Sequence, residues 1–203
     1  MPIVEDILTT TQKKLLPFVT TYKPQFVLVG GTSLALQLGH RRSIDFDLFA
    51  FHPFNTQQIL QEVTTAKILQ KVLVNGHNEL TLLAGDVKFT WYLYQYSIDG
   101  SIDCKFARIP EMRTIGAMKL FALGGRAKWK DYVDLYFLLH QYSLEDLMLQ
   151  AKKLFTAAFN EKLARVQLSY YDDVNYSEAV EYMPNFAVED NEIKKFLTKI
   201  SVS

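Results

Sequence analysis

The sequence predicts an α+β protein, with a mixed sheet flanked by helices in the first half and helices alone in the second. Short runs of β-forming residues recur between residues 25 and 106, punctuated by Gly- and Asn-containing turns. From Thr114 onward the apolar positions recur instead at three and four residues, as in Ile115, Met118, Leu120, Phe121 and then Tyr132, Leu135, Tyr136, Leu138 and Leu139. A chain of 203 residues, 49% of them hydrophobic, can fill one substantial core or two small ones. The expected organisation is a lobe at residues 1–110 and a helical lobe at 111–203, joined as one unit with the site in the cleft between them.

Taken in order, Ile3 to Thr20 has helical spacing and is expected to stop near Pro24. Gln25 to Val29 reads as a strand entering a turn at Gly30-Gly31, with a helix from Thr32 that ends at Gly39 as its C-cap. Ser43 to Phe49 alternates strictly, which places Ile44, Phe46 and Leu48 on a core face and Ser43, Asp45 and Asp47 on a wet one. A helix over 56–67 follows, capped by Asn55 or Thr56. Residues 68–74, 79–83 and 87–96 then read as three antiparallel strands turning at Asn75-Gly76 and Gly85-Asp86, and 102–106 as one more. In the second half Gly124-Gly125 separates two helices, Ser143 to Asp146 opens a third, 151–169 reads as a fourth and 189–199 as the last.

Composition excludes some functions. Lys plus Arg and Asp plus Glu number 22 each, so no net field steers the chain toward nucleic acid. The single Cys104 rules out an intramolecular disulfide and a thiolate zinc site, and reads as a small core residue. His40, His52, His77 and His140 lack ligand spacing. The acidic start has no basic n-region, and no apolar run reaches the length of a membrane span, so the expectation is a soluble, cytoplasmic protein without membrane contact.

Two short motifs carry the chemistry. Asp45 and Asp47, two apart on an alternating strand, project from one face and can converge on a hard divalent cation, Mg²⁺ or Mn²⁺. By itself the pair fits a solvated strand face equally well. Gly30-Gly31-Thr32-Ser33 opens a helix, where backbone N–H groups and hydroxyls can meet an anion, although a plain capped turn has the same look. Joined as strand, Gly-Gly-Thr-Ser, helix and Asp-x-Asp on the next strand, the two resemble the DNA polymerase β-like nucleotidyltransferase superfamily. The phrase Arg42-Ser43-Ile44-Asp45-Phe46-Asp47-Leu48 resembles its AbiEii/AbiGii toxin branch. Ala117-Met118-Lys119-Leu120 and Lys130-Asp131-Tyr132-Val133-Asp134-Leu135 are similar to the helical motifs of that branch, so that the likeness runs over about residues 25–140.

That resemblance implies a polymerase β-like lobe and a metal-dependent transfer of NMP from an NTP to an acceptor hydroxyl. Its implied partners are tRNA or another acceptor and a cognate antitoxin, in a toxin–antitoxin or abortive-infection system. The implied roles are metal binding and catalysis for Asp45 and Asp47, phosphate binding for Gly30, Gly31, Thr32, Ser33 and Lys119, and acceptor activation for Asp131. Without the resemblance, Lys119 reads as a snorkelling surface lysine and Asp131 as an acid balanced against a helix dipole, with Asp134 as its rival. Asp45→Ala and Lys119→Ala are expected to abolish transfer without unfolding the protein. Arg41, Arg42, Arg126, Lys128 and Lys130 form a candidate basic rim. The family's third carboxylate aligns with Thr90, so a weakened nucleotide- or partner-binding protein is one alternative reading, and a small-molecule nucleotidyltransferase another.

Overall fold

The computed structural model describes residues 3–202, and the chain divides into two units, Met1–Glu111 and Met112–Ser203. In the first unit a 3-10 turn at Glu5–Ile7 precedes α1 (Thr10–Thr21), so the expected N-terminal helix begins only at Thr10. The boundary is chemical: the Thr9 hydroxyl accepts from the Gln12 backbone N–H at 3.1 Å while the Gln12 side chain accepts from the Thr9 N–H at 3.0 Å. Strand β1 (Val27–Val29) leads into α2 (Gly30–Leu38), which closes at Gly39 with φ +69°. Then come β2 (Phe46–Ala50), α3 (Thr56–Thr65) capped by the Asn55 side chain, β3 (Lys71–Asn75), β4 (Glu79–Ala84), β5 (Val87–Leu93), β6 (Ile102–Cys104) and β7 (Ala107–Ile109). The expected last strand at 102–106 is in fact a tight pair, with Cys104 opposite Ala107.

Among the described residues these strands make one seven-stranded mixed sheet in the order β3-β4-β5-β2-β1-β7-β6. The β3–β4–β5 meander is antiparallel, β2 runs parallel to β5, and β1 runs antiparallel to β2 but parallel to β7. One sheet face is apolar because alternate residues match across strands: Leu82, Phe89 and Phe46 form one row, and Leu80, Trp91 and Leu48 the next. All six are at most 2% exposed, and each such burial contributes about 1.5–3 kcal/mol. Helix α1 covers this face edge-on through Phe18 against Phe89 and Tyr22 against Trp91. Cys104 is buried, as a core residue should be.

The second unit is helical: α4 (Met112–Leu123), α5 (Trp129–Leu138), α6 (Leu144–Phe155), α7 (Glu161–Ser169) and α8 (Asp190–Ser201). The continuous helix expected over 151–169 is broken. Thr156 takes a positive φ of +49° and Phe159 is extended, after which the Asn160 side chain caps α7. Gly116 of α4 leaves room for Leu147 of α6, since a Cβ there would lie 2.9 Å from Leu147 Cδ2. No helix among the described residues is long and apolar enough to cross a membrane.

Candidate active site

The first unit assembles its acids where α2 begins. Gly30 has φ +72°, and a Cβ on it would fall 2.6 Å from Asp47 Oδ2, so the Asp47 carboxylate rests directly on the backbone that opens the helix. The cap residue Val29 gives that helix no side-chain hydrogen bond, which leaves the turn's positive end to whatever anion lies beside it. Gly31 is required for a second reason: a Cβ there would meet Arg41 Nη2 at 2.6 Å and Ser43 Oγ at 2.9 Å. Glycine at both positions therefore brings a carboxylate and a guanidinium onto one helix terminus.

Asp47 lies in β2, whereas Asp45 lies just before it, so the strand is shorter than the alternation predicts. Ile44, expected on the core face, is 40% exposed because the ladder has not yet begun at that residue. Residues 43–45 are held by side chains instead. The Ser43 carbonyl accepts from Gln12 Nε2 of α1 at 2.9 Å. The Thr32 hydroxyl of α2 lies 3.0 Å from the Ser43 hydroxyl, 3.2 Å from the Ser43 carbonyl and in a short contact with the Asp45 carbonyl. Thr32 is thus a buried clamp on the loop, which departs from the phosphate-binding role implied for its hydroxyl. Ser33 is fully buried, and its hydroxyl has no hydrogen-bond partner among the described residues.

Asp45 is half-exposed and pairs with Lys88 at 2.8 Å. The register sets Thr90 of β5 beside Asp47, at the position aligned with the missing third acid. Thr90 faces Thr81 across β5–β4, and the Thr81 hydroxyl donates to Glu79 Oε1 at 2.8 Å. Glu79 is an acid on this face that the motifs did not single out. Its signal was the alternation of β4, which gives Glu79 and Thr81 the parity of Thr90. The described residues contain no cluster of three or more His, Cys, Asp or Glu able to hold a metal. Asp45 and Asp47 nonetheless fit a hard cation completed by substrate oxygens: both donors are carboxylates, and the Lys88 ammonium already occupies one Asp45 oxygen as a cation would.

The second unit buries its charges. Lys119 of α4 is only 6% exposed, and its ammonium lies 2.7 Å from Asp131 Oδ1 and 2.6 Å from Asp134 Oδ2, both on α5. Asp131 and Asp134 share one face because they are three residues apart on a helix. Arg126 approaches Asp131 Oδ2 at 3.6 Å from the solvent side. Lys119 is therefore no snorkelling lysine, and deleting it would strand two buried carboxylates, which overturns the expectation that Lys119→Ala leaves folding intact. The basic rim is largely committed elsewhere. Arg41 is buried, Arg42 Nη1 reaches the Asp6 and Ile7 carbonyls, and Lys128 and Lys130 both pair with Glu178. Those two lysines, Lys128 foremost, hold the Glu178 carboxyl down at about 2.

Residues 19–78, which contain Gly30 to Ser33, Asp45 and Asp47, match the family described as nucleotidyl transferase AbiEii toxin of type IV toxin–antitoxin systems. Lys119 and Asp131 lie beyond the matched stretch. The uncharacterized protein aq_aa25 of Aquifex aeolicus is 32% identical over 136 residues, covering 63% of this chain and 65% of that protein, so the likeness spans slightly under two thirds of the relative. The fold is similar to JHP933 from Helicobacter pylori, with TM-score 0.56 and 20% identity over 98% of this chain and 92% of that one. It is also similar to MenT4, a nucleotidyltransferase toxin from Mycobacterium tuberculosis, with TM-score 0.58 and 14% identity over 94% and 80%. Residues 19–78 thus resemble the AbiEii nucleotidyltransferase toxins, and the fold around them is similar to those of JHP933 and MenT4.

Proposed function

We propose that the protein is a metal-dependent nucleotidyltransferase that moves an NMP from an NTP to an acceptor hydroxyl, with tRNA as the acceptor class to test first and growth arrest as the outcome. The observation that carries the reading is the Asp47 carboxylate seated on Gly30 at the start of α2, with Asp45 two residues away. In this reading the first unit binds the nucleotide, and Lys119 and Asp131 keep the roles that the resemblance implies for them. Its working place is the cytoplasm, and a cognate antitoxin controls it.

Asp45 and Asp47 would hold Mg²⁺ or Mn²⁺, whose chemistry there is to neutralise charge on the phosphates during in-line displacement. The chain's own residues do the remainder. Backbone N–H groups of Gly30 and Gly31 bind phosphate oxygens at the helix terminus, and the buried Ser33 hydroxyl is a further donor for them. Thr32 acts indirectly by holding Ser43 and Asp45 in place. The acceptor oxygen attacks the α-phosphorus, the bond to pyrophosphate breaks, and Asp131, held in place by Lys119, is the carboxylate that would orient the hydroxyl and take its proton.

Thr90 beside Asp47 favours a second reading, a nucleotide-binding member with little turnover. One experiment separates the two. The protein is incubated with Mg²⁺, each α-labelled NTP and either total tRNA or small hydroxyl acceptors such as aminoglycosides. Label on RNA together with released pyrophosphate supports the first reading, and label on a small acceptor moves it to a small-molecule enzyme. Nucleotide binding without pyrophosphate supports the second reading, and neither binding nor transfer overturns both.

A further inference from the structure

The acidic site continues along the sheet into a run of rings. Two residues beyond Asp47 on the same face of β2 stands Phe49, and two beyond Thr90 on β5 stands Tyr92, its register partner. Tyr94 and Tyr96 extend that row past the end of β5, where the Tyr94 N–H still donates to the Ala50 carbonyl at 2.9 Å and keeps the segment alongside β2. The rings form one continuous cluster: Phe49 lies 5.4 Å from Tyr92 and 4.9 Å from Tyr94, and Tyr94 lies 6.2 Å from Tyr92 and 5.5 Å from Tyr96. All four are half-buried, unlike the apolar rows on the other face, which are sealed.

We propose that Phe49, Tyr92, Tyr94 and Tyr96 form a stacking platform for a nucleobase of the substrate bound at Asp45 and Asp47. The inference rests on the nucleotide reading of those acids and goes beyond it by assigning where a base sits. Three observations select a base as the occupant. The platform is continuous with the acids, beginning one residue pair, or about 7 Å of strand, from Asp47. Its segment Tyr92-Leu93-Tyr94-Gln95-Tyr96 carries no charge of its own, and Glu79, which faces Tyr92 across β4–β5, accepts from the Thr81 hydroxyl, so Tyr94 and Tyr96 beyond it suit the neutral face of a base and leave the phosphates to α2 and the cation. Its rings are mostly phenols, flat surfaces with a polar tip that tolerate water when empty. Burial and the neighbouring Tyr96 and Tyr92 push the Tyr94 phenol up to about 12, so it stays neutral beside a nucleotide at physiological pH. A base can come from the NTP or from an unpaired stretch of an RNA acceptor, and either offers the same π-face.

The test measures equilibrium binding, in Mg²⁺, of three probes to the full-length protein: each NTP, inorganic tripolyphosphate and a single-stranded hexaribonucleotide. Tyr94→Leu keeps apolar volume and removes the ring, whereas Tyr94→Phe keeps the ring. The expected result is a loss of about five- to a hundred-fold for Tyr94→Leu with NTP or RNA, unchanged tripolyphosphate binding, and near wild-type affinity for Tyr94→Phe. Loss in the NTP arm assigns the platform to the donor base, and loss in the RNA arm assigns it to the acceptor. Equal affinity of Tyr94→Leu and wild type in both arms overturns the platform while leaving the acidic site intact. Wild-type protein that binds none of the three probes overturns the nucleotide reading together with the platform. Should Tyr94→Leu lose its circular dichroism signature, Tyr96→Leu at the far end of the row is read by the same criteria.

Discussion

The two units hold aspartates in opposite ways. Asp45 and Asp47 are half-exposed, Asp47 lying against the Gly30 backbone and Asp45 pairing with a lysine that is itself a third exposed. Asp131 and Asp134 are buried around an ammonium that is equally buried. An exposed ion pair is worth little, so Asp45 can exchange its lysine for a cation and back. Buried ones are committed, because removing any member leaves a charge without solvent. The difference makes the first pair exchangeable and fixes the second group in place, so that Asp131 would act from a constant position.

The sharpest way to break the comparison is Lys119→Ala. It should cost about 3–5 kcal/mol, read as a lower midpoint in urea unfolding, since two buried carboxylates would face each other. A loss below about 1 kcal/mol would mean that water reaches the pair and that the contrast is false. Next comes Asp45→Ala, which should lower label transfer by about a hundred-fold or more while shifting stability by less than about 1 kcal/mol. Transfer at the wild-type rate would remove Asp45 from the site. Gly30→Ala is expected to cost about 1–2 kcal/mol in unfolding midpoint from its positive φ, and to displace Asp47 in a crystal structure of the variant. An unmoved Asp47 would show that the close approach is not obligatory.

The smallest effect concerns Glu178, a surface control for the buried triad. Its carboxyl is lowered from 4.5 to about 2, so its contribution is complete above about pH 4.5 and is lost as pH falls through about 2. The side chain is 44% exposed, and solvent screening confines the effect to about 1 kcal/mol or less. Glu178→Gln should therefore flatten the acid limb of the stability profile slightly, leaving neutral pH almost unchanged. An equal slope in both proteins would exclude the pairing in solution.

The first unit was more legible in the sequence than the second, for reasons that lie in the residues. Gly39 announced the end of α2 because few residues other than glycine adopt its left-handed conformation at low cost. Thr90 could be aligned with the third acid through the resemblance, and the parallel pairing of β2 with β5 is what sets it beside Asp47. Lys119 gave no comparable signal. Its partners lie twelve and fifteen residues on in another helix, and helical periodicity records which face is apolar without recording whether a lysine on it meets carboxylates. Strand β7, only three residues long, is too brief for alternation to register, and the break at Thr156 lies in Thr-Ala-Ala, which carries no glycine or proline to mark it. Glu79 became visible only when the sheet placed β4 next to β5.

Residues 43–45 stand outside the hydrogen-bond ladder of β2 and are fastened by the side chains of Gln12 and Thr32. Segments of that kind open in small steps that leave the rest of the molecule folded. Asp45 can then breathe on its own, independently of the sheet that carries Asp47. Amide exchange should report this as faster protection loss at residues 43–45 than at 46–50, and Thr32→Val should widen the gap without unfolding the sheet. An acid so mounted has its readiness governed by a hydroxyl on the neighbouring helix, and that tether makes the site's dynamics tunable one methyl group at a time.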